Sequence, residues 1–172
     1  IPVSVVAAFE AKTQRLCSGY APASSSDVLE WLKERLLLGE SEWIALLAAV
    51  KRDAGLEAAT VATELRERAV WVSGPGGSKR FVAAIESVPR AARAFGWPLN
   101  AVRCYDIAAP GKLIEPPFLA SAAAVSGHVP LFDWLAEWLR FVGPVPEPAL
   151  RESLPVTPEQ IDTAVSELAD TG

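Results

Sequence analysis

The chain has 172 residues, 51% hydrophobic and 22% charged, with a formal net charge of −5. That composition is globular, long enough for one sizeable core or for a main domain plus a small one, and it excludes a disordered chain. No apolar run reaches the ~18–20 residues that span a bilayer, so a transmembrane helix is not expected, and Ile1-Pro2-Val3-Ser4 lacks the charged-then-apolar pattern of a signal peptide.

Apolar Val5, Val6, Phe9 and Leu16 predict a first helix over 3–16. Asp27, with Glu30 three residues on, predicts a capping box opening a second helix. Val28, Leu29, Trp31, Leu32 and Leu36 are its inward face and Gly39 its end. Ser41 is expected to cap a third helix, with Trp43, Ile44, Leu47 and Val50 inward and Gly55 as its stop. A fourth is expected over 57–68 around Val61 and Leu65.

Val70-Trp71-Val72 reads as a strand broken by Gly74-Pro75-Gly76-Gly77. Ser78 is expected to cap a helix over 79–87, with a further turn or two after Pro89 that Gly96 closes. Residues 101–107 read as a second strand. Pro110, Gly111, Pro116 and Pro117 predict an irregular stretch, and 120–125 a short helix.

From Pro130 the periodicity sharpens. Leu131, Trp134, Leu135, Trp138 and Phe141 share one face of an amphipathic helix that Gly143-Pro144 ends. A short helix over 146–154 follows. After the turn at Pro155-Val156, Thr157 caps a last helix through Ile161, Val165 and Leu168, with Pro158 in its first position. The expected fold is therefore mainly α with a minor β component. A helical, bundle-like accessory domain over 1–127 carries one or two short strands, and a helix-turn-helix over 128–172 forms the start of a winged helix whose wing is missing. The absence of any Met reads as an excerpt from a longer chain.

Cys17, Cys104 and the sole histidine, His128, lie far apart, which speaks against a zinc site and a disulfide framework and for two free thiols in a reducing compartment. His128 has no evident catalytic partner, and no nucleophile–base arrangement stands out, so no catalytic residue is assigned. Ser73-Gly74-Pro75-Gly76-Gly77-Ser78-Lys79-Arg80 invites a phosphate reading but is not a Walker A loop, in which Lys follows Gly and precedes Ser or Thr.

The best candidate for a polyanion surface is Lys79, Arg80, Arg90, Arg93 and Arg103, with Glu86 as the one acid on the segment they span. Trp97, before Pro98, is the one indole considered for base stacking; Trp31, Trp43, Trp134 and Trp138 read as core. The charge is uneven. Residues 131–172 hold 2 Lys/Arg against 8 Asp/Glu. The last helix, with Glu159, Asp162, Glu167 and Asp170, is a poor reader of a DNA groove, although Gln160 and Thr163 are of the type that touches base edges.

Two stretches carry a resemblance. Phe9-Glu10-Ala11-Lys12-Thr13-Gln14-Arg15, Gly19-Tyr20-Ala21-Pro22, Leu29-Glu30-Trp31-Leu32-Lys33-Glu34-Arg35-Leu36-Leu37-Leu38 and Glu42-Trp43 resemble the region after the motor in large bacterial Lhr-type (long helicase-related) superfamily-2 helicases. Glu137-Trp138-Leu139-Arg140-Phe141-Val142-Gly143-Pro144-Val145, with residues 154–172 after it, is similar to the start of the winged helix in their carboxy-terminal half. The resemblance covers about half the chain. It implies a cytoplasmic bacterial parent, an ATP-dependent 3′-to-5′ DNA translocase acting in repair, with ATP and Mg bound outside this chain. This piece is then a non-catalytic accessory module that touches DNA weakly or scaffolds neighbouring domains. The winged-helix DNA glycosylases, similar to the same region, use a Gln-x-Gln pair that Gln14 and Gln160 do not form. A module with no DNA contact, or a winged-helix regulator fragment, is the alternative.

Overall fold

The computed structural model describes residues 3–77, 79–116, 129–142 and 145–171. The fold is mainly α with a smaller β part. Helices α1 (Val3–Thr13), α2 (Ser25–Arg35), α3 (Glu40–Ala54) and α4 (Ala58–Glu64) precede most of the sheet. A two-residue strand β1 (Leu38–Gly39) lies between α2 and α3. Then come β2 (Ala69–Ser73), β3 (Phe81–Ala84), α5 (Val88–Ala94), β4 (Arg103–Asp106) and β5 (Ala109–Ile114), and finally α6 (Leu131–Leu139), α7 (Glu147–Ser153) and α8 (Pro158–Thr171). The five strands form one antiparallel sheet in the order β1-β3-β2-β4-β5.

Every residue of β2 and β3 is buried, because both faces of the sheet centre are covered. Alternate side chains enter two separate cores. Ala69, Trp71, Val82 and Ala84 face Val28, Leu32, Trp43, Leu46 and Val61 of α2, α3 and α4. Val70, Val72, Phe81, Ala83 and Cys104 face Val88, Ala92, Trp134, Leu135, Trp138, Leu150, Leu154 and Ile161, so α5, α6, α7 and α8 share a core with the sheet. Fully buried Leu135 and Ile161 each contribute about 1.5–3 kcal/mol through removal from water. Trp31, Trp43, Trp134 and Trp138 are core, as their helical spacing predicts.

The structure departs from the predicted elements in several places, and the main departures have local reasons. The second helix begins a turn early, because Ser24 rather than Asp27 caps it: Ser24 Oγ accepts the Asp27 N–H at 3.1 Å. It ends at Arg35 rather than Gly39. Leu36 takes a left-handed φ of 68°, and the Leu37 N–H bonds back to the Arg35 carbonyl at 2.8 Å, a tight three-residue turn. Gly39 instead caps the third helix in place of Ser41, with the Glu42 carboxylate accepting its N–H at 2.8 Å.

Residues 81–84 form a strand, not the predicted helix. The glycine turn folds β3 back antiparallel on β2, and the alternation of Phe81 and Ala83 against Val82 and Ala84 serves two cores at once. The stretch expected to be irregular pairs as edge strand β5 despite Pro110 and Gly111. Edge strands tolerate both, since one row of backbone groups needs no partner. The last three helices keep close to their predicted bounds, and Thr157 and Gln160 form the expected cap: Gln160 N–H donates to Thr157 Oγ1 at 3.3 Å and Thr157 N–H to Gln160 Oε1 at 2.9 Å. The predicted helix over 120–125, the Ser78 cap, His128 and the Gly143-Pro144 stop lie outside the described residues.

Candidate nucleic-acid interface

The glycine-rich segment is a hairpin turn between β2 and β3. Gly77 N–H donates to the Gly74 carbonyl at 3.2 Å, Pro75 stands at the second position, and Gly76 at the third has φ 83°, the arrangement of a type II turn. Because β3 rather than a helix follows, no helix dipole points at the turn, and the strand–turn–helix setting of a phosphate loop is not built there.

Lys79 extends from this turn across to α7. Its ammonium donates to the Glu152 carbonyl at 2.6 Å and the Arg151 carbonyl at 3.1 Å, with the Leu154 carbonyl at 3.5 Å. These are the unpaired acceptors of a helix C-terminus, where a cation is favoured. Lys79 therefore ties the hairpin to the carboxy-terminal helices.

Arg90, on α5, donates both guanidinium branches to Glu137 of α6, one of them at 2.8 Å. The hydrogen bonds hold the Glu137 carboxyl below its ordinary range and raise Arg90 above its own. Arg93, one turn further on, is half-buried. It borders a groove of about 580 Å³ between α5, the start of α6 (Leu131, Phe132) and α8 (Glu159, Thr163). Its Nε is buried without an acceptor.

Trp97 is wedged into the protein. A Cβ placed on Gly74 would stand 2.2 Å from Trp97 Cε2, and the ring centroid of Phe95 is 5.1 Å away. The indole packs on the turn, leaving an edge toward a pocket of about 270 Å³ shared with Lys79, Arg151 and Thr157.

Arg80 and Arg103 are placed differently. Arg103 stands opposite Ser73, and because Cys104 faces the second core, Arg103 and Tyr105 share the opposite face. Arg80 reaches over that same face, its Cζ 5.8 Å from the Trp71 ring and 6.0 Å from the Tyr105 ring, and donates to the Pro110 carbonyl at 3.1 Å. Leu113, paired with Tyr105, is 56% exposed beside them. The five candidate cations thus separate: Lys79 and Arg90 bind groups of the carboxy-terminal helices, Arg93 lines a groove, and Arg80, bonded to the Pro110 carbonyl, shares the Tyr105 face of the sheet with exposed Arg103.

The polar residues of the last helix are also committed. The Gln160 amide donates to the Phe95 carbonyl at 3.4 Å besides completing the cap, and Thr163 Oγ1 donates to the Glu159 carbonyl at 2.8 Å. Asp162 pairs with Arg151 at 3.1 Å. Three charged groups missed by sequence reasoning matter to this frame. Arg151 ties α7 to α8. Buried Asp106 accepts from Arg66 Nε at 2.8 Å and from the Ala108 N–H at 3.0 Å. Arg35, fully buried, bonds Glu42 at 2.6 Å. The Arg35–Glu42 spacing of seven residues spans a helix break, which is why no helical pairing rule finds it.

Cys17 and Cys104 are free thiols, and burial pushes Cys104 up to about 12. Among the described residues no group of three or more His, Cys, Asp or Glu side chains is placed to hold a metal, and no helix is long and apolar enough to cross a membrane. Comparison with known protein families, curated proteins and solved structures finds no match to the chain.

Proposed function

We propose that this chain is a non-catalytic accessory module of an ATP-dependent DNA helicase of the Lhr type, acting in DNA repair in a bacterial cytoplasm, and that its work there is chiefly to scaffold neighbouring domains. In this reading the ATP and Mg sites belong to the motor, outside this chain, and α6, α7 and α8 are the helix-turn-helix of a winged helix. The sequence resemblance supplies the parent. The observation that carries the scaffolding role is the Lys79 ammonium bound to the carbonyls at the end of α7: a residue of the candidate phosphate surface is used to fasten the carboxy-terminal helices to the sheet. The carboxylates of α8 suit contact with a protein neighbour better than contact with phosphates.

A second reading, direct DNA contact, is favoured by the shared face of Arg80, Arg103 and Tyr105, where two cations flank a ring of the kind on which bases stack. Titration with fluorescent single-stranded and duplex DNA over a salt series separates the two, using the unaltered chain beside Arg80→Ala/Arg103→Ala and Lys79→Ala/Arg90→Ala pairs. Scaffolding alone predicts no binding at low salt in any of the three. Salt-sensitive binding that the Arg80/Arg103 pair removes and the Lys79/Arg90 pair retains would sink scaffolding as the sole role.

A further inference from the structure

Arg35 ends α2 with its side chain wholly removed from solvent. One branch is satisfied: Nη2 donates to Glu42 Oε1 at 2.6 Å, and the other Glu42 oxygen accepts the Gly39 N–H. Nε and Nη1 are buried and find no protein acceptor. The rings of Trp138 and Phe141 lie 5.6 and 5.5 Å from Cζ, which offsets part of the buried charge but gives the N–H groups nothing to donate to in the guanidinium plane. Buried donors of a charged group are costly to leave unpaired, so a guanidinium in this state points to a further ligand.

The ligand has a place to sit. A small, partly open void of about 10 Å³ borders Arg35, with Gln14 and Glu42 as its other polar neighbours and Leu16, Trp31 and Leu46 among its apolar walls. We propose that this void is a binding site for one water molecule, which accepts from Arg35 and hydrogen-bonds to the Glu42 carboxylate or the Gln14 amide.

Size and charge both select water. The volume is about that of a single water-sized probe, the least that holds one water and too little for acetate, phosphate or sulfate. Arg35 and Glu42 already neutralise each other, so a halide would leave a net negative charge buried among Leu16, Trp31 and Leu46, whereas water adds none. The void also supplies the two to four polar partners that a buried water needs. The bound water would join Gln14, one residue past the end of α1, to the α2–α3 ion pair. This water site belongs to the core and is independent of the proposed function.

The test uses the unaltered chain. A crystal structure fine enough to place ordered water, with a second crystal soaked in bromide, should show one full-occupancy water within 3.5 Å of Arg35 Nε or Nη1, and no anomalous bromide peak there. In solution, the Arg35 Nε proton should give a water cross-peak of the sign that marks a long-lived buried water. An empty void, a guanidinium turned so that both donors reach protein acceptors, or a bromide peak at the site would each overturn the proposal. So would an Nε proton with no water cross-peak.

Discussion

The indole of Trp97 occupies the space where a side chain on Gly74 would begin: a Cβ there lies 2.2 Å from Cε2 and 2.5 Å from Cζ2. Gly74 is not among the glycines with positive φ, so the requirement for glycine comes from contact and not from backbone conformation. Gly74→Ala should therefore destabilise the chain by about 1–3 kcal/mol, the usual cost of overpacking. Trp97→Ala should be destabilising alone, through loss of its packing on Phe95, yet should relieve much of the Gly74→Ala penalty. A double-mutant cycle from denaturant midpoints measures the coupling, and additive effects would show that the contact does not matter.

Lys79→Met removes the charge from the end of α7 while keeping most of the stem. The ammonium is exposed, so the expected loss is only about 1 kcal/mol, the scale of a cation at a helix C-terminus. Its distribution is the sharper expectation. Amide exchange should quicken in α7 and at the start of α8 and remain unchanged in α2 and α3, whose core lies on the other face of the sheet.

The contrast between the two halves of this contact shows what the sequence could disclose. The helices were legible wherever apolar residues recur on one face, as with Trp134, Leu135 and Trp138, because amphipathic period and burial are the same fact. Strand β3 was not. Phe81-Val82-Ala83-Ala84 is apolar at every position, and a run that short cannot be assigned to helix or strand by period. With a helix expected there, the glycine turn resembles the entry to a helix and so a phosphate loop. The chemistry of Lys79, Arg90 and Trp97 is plain in the sequence, but their partners, Glu152, Glu137 and Gly74, lie elsewhere in the chain, and nothing in residue type distinguishes a cation that awaits phosphate from one already paired.

Asp53 gives a dependence on pH. Its carboxylate accepts from the side chain of Arg52 and from the N–H groups of Ala21 and Gly19, which lowers it from 3.8 to about 2. Since the folded state holds the proton less tightly, the unfolded chain binds more protons between those values, and stability rises with pH through that window. The contribution is complete above about 4 and is lost as pH falls toward 2. Asp106, held low chiefly by Arg66, acts in the same direction. Urea melts from pH 5 to 2 should show the loss. Asp53→Asn should flatten the part of it due to Asp53, and an unchanged slope would mean that the Arg52, Ala21 and Gly19 bonds do not persist in solution.

Arg90 and Glu137 join α5 to α6, two elements of one core, by a two-branched ion pair whose side chains are 36% and 43% exposed. That exposure limits its worth. Solvent screening brings the coupling to about 0.5–1 kcal/mol, near the upper end for surface pairs because the geometry is bidentate. A cycle through Arg90→Ala and Glu137→Ala should return that value, falling toward zero at high salt. Arg90→Lys should recover less than half, since an ammonium cannot present two parallel N–H groups to one carboxylate. If Arg90 instead waits for phosphate, Glu137→Ala should strengthen DNA binding by freeing it, and the absence of such a gain in the salt titration would leave the pair as a fastening between helices.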